Sequence, residues 1–431
     1  MIVRFSRMRW VIIGMCFLAN AINYIDRANL AIAAPHIRMD LGMDAATMGI
    51  VLSAFFWTYA LCQMPAGWFV DKVGVRMSLT FAVAWWSVFT AVTGVVHSIG
   101  AMLGARSLLG FGESAAVPSF SKTAYNWFPH KERGIACAIF DSGNRVGSAL
   151  SMPIIAFIIA MIGWRGSFII TGVIGLLWAA AWWFIYRDPE KYRDIAPKQV
   201  EALLADRGVG NAENNTVNSD NNNKISWLDL FHYRTIWGLM IGLFCLNFAI
   251  YFFITWFPSY LMETRGFSLT ALGTLGMLPP LCGILGSWLG GFTSDAFLRH
   301  GHSATFSRKF CLVLGMLISS CIAVCAVVEN VWLCLALFSL SYASLSFAGA
   351  NTYAIVGEIA PTSKHVASIT GIMNFAGNLA GIFITTFTGI MLSLTQGSFL
   401  IPLAVAGSLC ILGAASYLWL VGKVEPLPVR S

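Results

Sequence analysis

The stretch NAINYIDRANLAIAAP, residues 20–35, sets two adjacent charges, Asp26 and Arg27, inside a long apolar segment. Ionisable residues within a membrane span are costly, rare and usually functional. A carboxylate can carry a proton, and a guanidinium can hold an anion. The pair therefore points to a solute pathway rather than a passive anchor.

Working outward, the chain is 57% hydrophobic and 11% charged, with a mean hydropathy of +0.72. Soluble domains carry about a quarter charged residues. Windows of about 20 apolar residues recur twelve times, from 10–34 to 397–421, six on each side of a polar stretch at 187–234. The pattern predicts an all-α membrane protein with twelve transmembrane helices. Two six-helix bundles, 1–186 and 235–431, flank a cytoplasmic linker at 187–234.

Charge placement predicts the orientation. Of 27 Lys and Arg, 21 fall in the termini and the loops sharing their side, and only Arg38, Arg165 and Arg265 fall in the opposite loops. Both termini are expected in the cytoplasm by the positive-inside rule. The net charge of +7 follows from this topology and is no sign of a nucleic-acid partner.

Nine of the ten Cys lie within predicted spans, Cys137 is near the start of the fifth, and none forms CxxC. No disulfide framework, metal site or cofactor is expected. The first apolar segment is too long, and too charged at Asp26–Arg27, for a cleavable signal peptide. The linker runs through NAENNTVNSDNNNK and lacks apolar periodicity, which predicts disorder. Short helices are expected near 197–206 and 226–232.

The halves repeat. GWFVDKVGVR (67–76) recurs as GFTSDAFLRHG (291–301), so that Asp71 and Asp295 are 224 residues apart, and the same offset relates Asn23 to Asn247. A twofold repeat of six helices suggests two halves moving around a midplane site.

GxxxDxxGxR at 67–76 and RSLLGFGE (106–113) resemble the loop and helix-4 motifs of the major facilitator superfamily. NYIDR, NFAIYFFITWFPSYL and GIMNFAGNLAG resemble its anion:cation symporter family. That resemblance covers essentially all the chain outside the linker. It implies the major facilitator fold and transport of sugar acids, hexuronates or other organic anions in a bacterial inner membrane.

On helix 1, Asn20, Asn23, Tyr24 and Arg27 follow spacings of three and four and share a face. A polar stripe in a membrane must line a cavity or pack on protein. Asp26 lies about 100° around the helix from Arg27, towards a helix seam. Arg106 and Glu113 are two turns apart on one face of helix 4, about 10 Å along the axis. Asp26 is expected to pair with Arg106 while Glu113 sits near the midplane; a purely structural ion network is the alternative. The family resemblance implies proton coupling at Asp26 and Glu113.

An anion needs a fixed cation, and the planar fork of Arg27 suits a carboxylate. Hydroxyl partners are offered by Tyr59, Asn144, Tyr251, Tyr353, Asn374 and Asn378. The resemblance implies substrate contacts at Tyr24, Arg27, Tyr59, Asn144 and Asn374, and more loosely at Tyr251, Tyr353 and Asn378. The last three could instead make interhelical hydrogen bonds. Asp141 and Arg145 sit at i,i+4 spacing, either as a closed salt bridge or with Arg145 serving a second substrate carboxylate. Asp71, Lys72 and Arg76, at the cytoplasmic end of helix 2, are expected to bridge to neighbouring helices in the outward-open state, a conformational role. Pro279–Pro280 should bend helix 8. Trp85–Trp86 and Trp182–Trp183 are expected to anchor at the interface or face lipid.

The leading expectation is a proton-coupled symporter, acting as a monomer and importing a sugar acid such as an aldonate, aldarate or hexuronate. An organic-anion exchanger or a drug/proton antiporter is the alternative within this fold. A membrane enzyme would need a nucleophile–base pair or metal cluster, and none stands out. A sensor would need a folded soluble domain, which the linker is too short and too Asn-rich to supply.

Overall fold

A computed structural model describes residues 2–191, 227–360 and 363–427. Within them the chain is helical, without strands. Ten segments are long and apolar enough to cross a membrane. One of these holds two spans: the 56-residue run His130–Ile185 breaks at Gly163, where φ is 77°. That left-handed conformation costs glycine little, so α5 (130–162) passes into α6 (164–185) without a loop. Another span, α4, is interrupted, with pieces Ile99–Glu113 and Ala116–Trp127. Twelve helices result, matching the twelve apolar windows.

The others are α1 (Ile2–Leu41), α2 (Ala45–Val73), α3 (Val75–Thr93), α7 (Arg234–Thr255) and α8 (Leu269–Leu275 with Leu278–Arg299). They continue as α9 (Ala304–Ser319), α10 (Val331–Ile359), α11 (Ser363–Leu394) and α12 (Leu400–Ala415). Pro279–Pro280 open the second piece of α8, where a missing N–H breaks no helical bond. The expected bend is therefore a break and restart. Of the two linker helices, a 3₁₀ turn is present at Trp227–His232, while 197–206 lies outside the described residues.

Short polar side chains start several of these helices. Ser98, Ser268 and Ser303 accept from the backbone N–H of Ala101, Ala271 and Phe306. Asn330 accepts from both Trp332 and Leu333, and Asp44 accepts from Thr47 at 2.9 Å. Such caps satisfy N–H groups that the first turn leaves open. The Thr47 bonds hold the Asp44 carboxyl below the usual carboxylate range. Asp44→Ala is expected to cost about 1 kcal/mol, read as a lower unfolding temperature in detergent. A depressed carboxyl stabilises fully above its unfolded-state value, about 3.9, so this difference should fade as the medium is acidified below that point.

The tryptophan pairs correct the expectation of lipid-facing anchors. Trp86 and Trp182 are fully buried, whereas Trp183 stays 39% exposed. Trp182 stacks between Trp178 (5.2 Å) and Tyr186 (4.5 Å). Neighbours on a helix diverge by about 100°, so one ring of an adjacent pair turns inward.

By contact the chain divides into two compact units, Met1–Ala33 with Ala54–Ser219, and Ala34–Ser53 with Asp220–Ser431. The end of α1 and the start of α2 thus belong to the second unit. There, Arg38 Nη1 donates to both Glu263 carboxylate oxygens at 2.8 Å. The Ser393 hydroxyl accepts from the Ala46 N–H at 2.9 Å and donates to Asp44 Oδ2 at 3.3 Å.

Candidate functional site

In the first unit the polar stripe of α1 lines a cavity of about 100 Å³. Asn20, Asn23, Tyr24 and Arg27 form one wall, and Tyr59, Glu113, Asp141 and Asn144 come from α2, α4 and α5. Two close approaches set these helices. A Cβ at Gly110 would collide with the Phe55 carbonyl oxygen, so glycine lets α4 press onto α2. A Cβ at Gly147 would strike the Ala21 carbonyl in the same way, which seats α5 on α1. Asn20 then ties the pair by donating to the Phe140 carbonyl at 2.8 Å.

Arg27 is the centre of the site. Its Nε donates to Glu113 Oε2 at 2.8 Å, and Nη2 lies 2.8 Å from the same oxygen. The Glu113 side chain is fully buried and that of Arg27 is 9% exposed. The guanidinium also lies 4.6 Å from the ring centres of Phe55 and Tyr59 and 5.1 Å from that of Tyr24. Aromatic faces attract a cation, more strongly where water is excluded. Phe55 is shared, because Arg106 approaches the same ring at 5.8 Å.

Asp26 faces away from this stripe. It is fully buried, and neither carboxyl oxygen makes a hydrogen bond. Thr90 and Thr171 lie nearby, and the charges acting on Asp26 are those of Glu113 and Arg106. The expected Asp26–Arg106 pair is not closed: Arg106 is 3% exposed, with Nε and Nη1 unbonded. Instead, Arg27 has taken Glu113.

On α5, Arg145 Nη2 lies 3.6 Å from Asp141 Oδ2, and Asn144 Nδ2 donates to Asp141 Oδ1 at 3.2 Å. Asp141 and Asn144 line the cavity, and Arg145 is absent from its lining. In the second unit the Tyr251 hydroxyl donates to Asn378 Oδ1 at 3.1 Å. The interhelical bond weighed for these two residues is therefore present. Asn374, one turn earlier on α11, is half-buried. The Tyr353 side chain lies outside the described residues.

At the other ends of the helices, Asp71 pairs with Lys122 at 2.8 Å. Arg76 donates twice to the Trp183 carbonyl, at 3.0 and 2.6 Å, and stacks over its ring at 4.3 Å. Lys72 lies over Trp68 at 4.8 Å. In the second unit Arg308 reaches Glu358 at 3.0 Å, Ser294 at 2.9 Å and Asp295 at 3.4 Å. Sequence reasoning missed Lys122, Arg308 and Glu358. The repeat of Asp71 in Asp295 was the available signal, since each carboxylate calls for a nearby cation.

A polar cavity holding a caged guanidinium, in a chain with ten segments long and apolar enough to cross a membrane, fits a solute transporter. Residues 16–304 match the model of the Major Facilitator Superfamily, and the chain belongs to that family. It is a transporter and not an enzyme. Among its relatives is a Bacillus subtilis protein described as "Probable galactarate/D-glucarate transporter". The two are 34% identical, over 99% of this chain and 94% of that protein. A D-galactonate transporter of Escherichia coli is also 34% identical, over 97% of each chain. A Cupriavidus necator protein described as "Probable sulfoacetate transporter" is 31% identical, over 96% of this chain and 94% of that protein. The fold is shared with a crystallised D-xylose–proton symporter, with a TM-score of 0.76 at 15% identity over 97% of this chain and 99% of that one.

Proposed function

We propose that the protein imports a sugar acid, an aldonate or an aldarate, together with protons. The observation that carries this reading is the Arg27–Glu113 ion pair in the cavity. A substrate carboxylate and Glu113 want the same guanidinium edge, and both cannot hold it fully. A proton on Glu113 cancels its claim and frees the fork for the substrate. Asp26, buried without a hydrogen bond, is expensive as an anion and supplies a second place for a proton. The named cargoes of the relatives, galactarate, glucarate, galactonate and sulfoacetate, are all organic anions. Tyr24, Tyr59, Asn144 and Asn374 would serve the substrate's hydroxyls, and Tyr251, Asn378 and Tyr353 would join them after rearrangement.

Import of an anion against a negative-inside potential costs about 2.3 kcal/mol per charge per 100 mV. Accompanying protons offset that cost. In this reading both termini are cytoplasmic and the protein works as a monomer in a bacterial inner membrane. The Arg38–Glu263 and Asp44–Ser393 contacts then hold the end of α1 and the start of α2 to the second unit. Asp71, Arg76 and Arg308 hold the cytoplasmic ends and re-pair as the cavity alternates its exposure.

The test is uptake by proteoliposomes of labelled D-galactonate, galactarate, D-glucarate and a hexuronate, at two pH values, with and without an inward proton gradient. Gradient-driven accumulation of at least one sugar acid is expected. Uptake that ignores the gradient and requires an anion loaded inside would replace symport by exchange. Because Arg145 is absent from the cavity lining and pairs with Asp141, Arg145→Gln is expected to change mono- and diacid uptake by the same factor. A selective loss of diacid uptake would instead give Arg145 a substrate carboxylate.

A further inference from the structure

Cys325 and Cys334 meet across the tight connection between α9 and α10. The last turns of α9 tighten into a 3₁₀ segment, Ser320–Ala326, and α10 begins at Val331. Cys325 Sγ lies 3.8 Å from the Cys334 carbonyl and Cys334 Sγ lies 4.0 Å from the Cys325 carbonyl, so each thiol sits against the other residue. Cys334 has two further neighbours. The Tyr260 hydroxyl is 3.3 Å from its sulfur and Arg265 Nη2 is 3.7 Å away. Arg265 also donates to Tyr260 Oη at 2.7 Å and to the carbonyls of Val328 (2.5 Å) and Cys325 (3.1 Å). The π turn Tyr260–Thr264 beside it carries Glu263, the partner of Arg38.

The Arg265 guanidinium aimed at the Cys334 sulfur stabilises negative charge there, the setting in which a cysteine becomes the attacking nucleophile, while the Tyr260 hydroxyl is shared with the Cys325 carbonyl at 3.2 Å. The second thiol stands where a resolving cysteine is needed. Cys325 is fully buried and Cys334 is 2% exposed, so a folded protein oxidant cannot reach them. Val327, Glu329 and Asn330 in the connection beside them are exposed, which makes a small oxidant the class to test.

We propose that Cys325 and Cys334 are a peroxide-responsive dithiol, which closes to a disulfide and thereby loosens the Arg265 hold on the Glu263 turn. This rests, for its effect on transport, on the sugar-acid uptake proposed above and on the Arg38–Glu263 tie being needed for it. The Cys334 thiolate attacks one oxygen of hydrogen peroxide. The O–O bond breaks, and the departing hydroxide takes up the proton lost by the thiol, leaving water and a sulfenic acid. The Cys325 thiol then attacks the sulfenic sulfur, the S–O bond breaks, and a second water leaves with the Cys325 proton. Two thiols are oxidised, and one peroxide is reduced to two waters. Drawing the sulfurs to bonding distance, about 2.05 Å, takes Cys334 away from Tyr260 and Arg265.

Glu329 lies between the two cysteines, and Cys334 is the only cysteine between Glu329 and Glu358. Reconstituted protein is treated with hydrogen peroxide, alkylated with N-ethylmaleimide and cut after glutamate, and the fragments are sized by mass spectrometry. The two fragments are expected to remain joined in the wild type and in Cys321→Ser, and to separate in Cys325→Ser, in Cys334→Ser and after dithiothreitol. Fragments that separate in the peroxide-treated wild type, or stay joined in Cys325→Ser, would overturn the pairing. Uptake of labelled D-galactonate and galactarate by the same vesicles should fall with peroxide and recover with dithiothreitol, and Cys325→Ser should not respond. A joined wild type with unchanged uptake would overturn the effect on transport. If the reduced protein takes up neither sugar acid, the substrate reading fails while the fragment assay still decides the pairing.

Discussion

Arg27→Lys is expected to weaken sugar-acid binding roughly thirtyfold and to cut uptake, while leaving the protein folded. A lysine keeps the positive charge beside Glu113 and the aromatic cage, so the buried carboxylate is not abandoned. It lacks the planar fork, and a point charge cannot hold Glu113 and a substrate carboxylate side by side as Arg27 can. Hydrogen bonds to charged groups contribute about 2 kcal/mol each, so losing one should weaken apparent affinity roughly thirtyfold. Binding of D-galactonate and galactarate is measured calorimetrically on monodisperse protein, with the same preparation followed for uptake. Wild-type affinity in Arg27→Lys would remove Arg27 from the anion site. The Arg27→Gln variant is the poorer probe, because an unpaired buried charge left behind can cost 3–5 kcal/mol, on the order of a protein's whole stability margin.

The second large effect concerns the two carboxyls. Glu113→Gln should retain substrate binding and exchange of labelled for unlabelled substrate, yet lose accumulation driven by a proton gradient. The neutral amide leaves Arg27 permanently available, so substrate loading no longer waits for a proton. Asp26→Asn is expected to slow gradient-driven uptake by about an order of magnitude, the loss that about 1.4 kcal/mol added to the limiting barrier produces. Its exchange activity should be spared. Gradient-driven accumulation that is unchanged in both variants would sink the assignment of the proton to these residues.

Much of the architecture was legible because membrane helices announce themselves by apolar length. The repeat of Asp71 in Asp295 and the stripe from Asn20 to Arg27 depend on spacing along one helix, and spacing survives in the sequence. What crosses between helices does not. The Arg27–Glu113 pair, the Phe55 face and the unbonded Asp26 depend on how far side chains reach over gaps set by Gly110 and Gly147. Counting residues from a span's end also assumes a straight helix, and α4 is broken directly after Glu113. The Cys325–Cys334 contact was hidden for a different reason. Cysteines nine residues apart look unrelated until the 3₁₀ end of α9 and the four-residue connection bring their sulfurs together.

The Arg38–Glu263 pair has a consequence for where this protein can work. Its side chains are 22% and 31% exposed, so the surrounding electrolyte reaches them. Exposed ion pairs weaken as ions accumulate, with a Debye length near 8 Å at 0.15 M and shorter in brine. Ionic strength alone thus acts on how firmly the end of α1 is held to the Glu263 turn. A dilute medium favours this tie and a saline one loosens it, without any change in the cargo or its driving force.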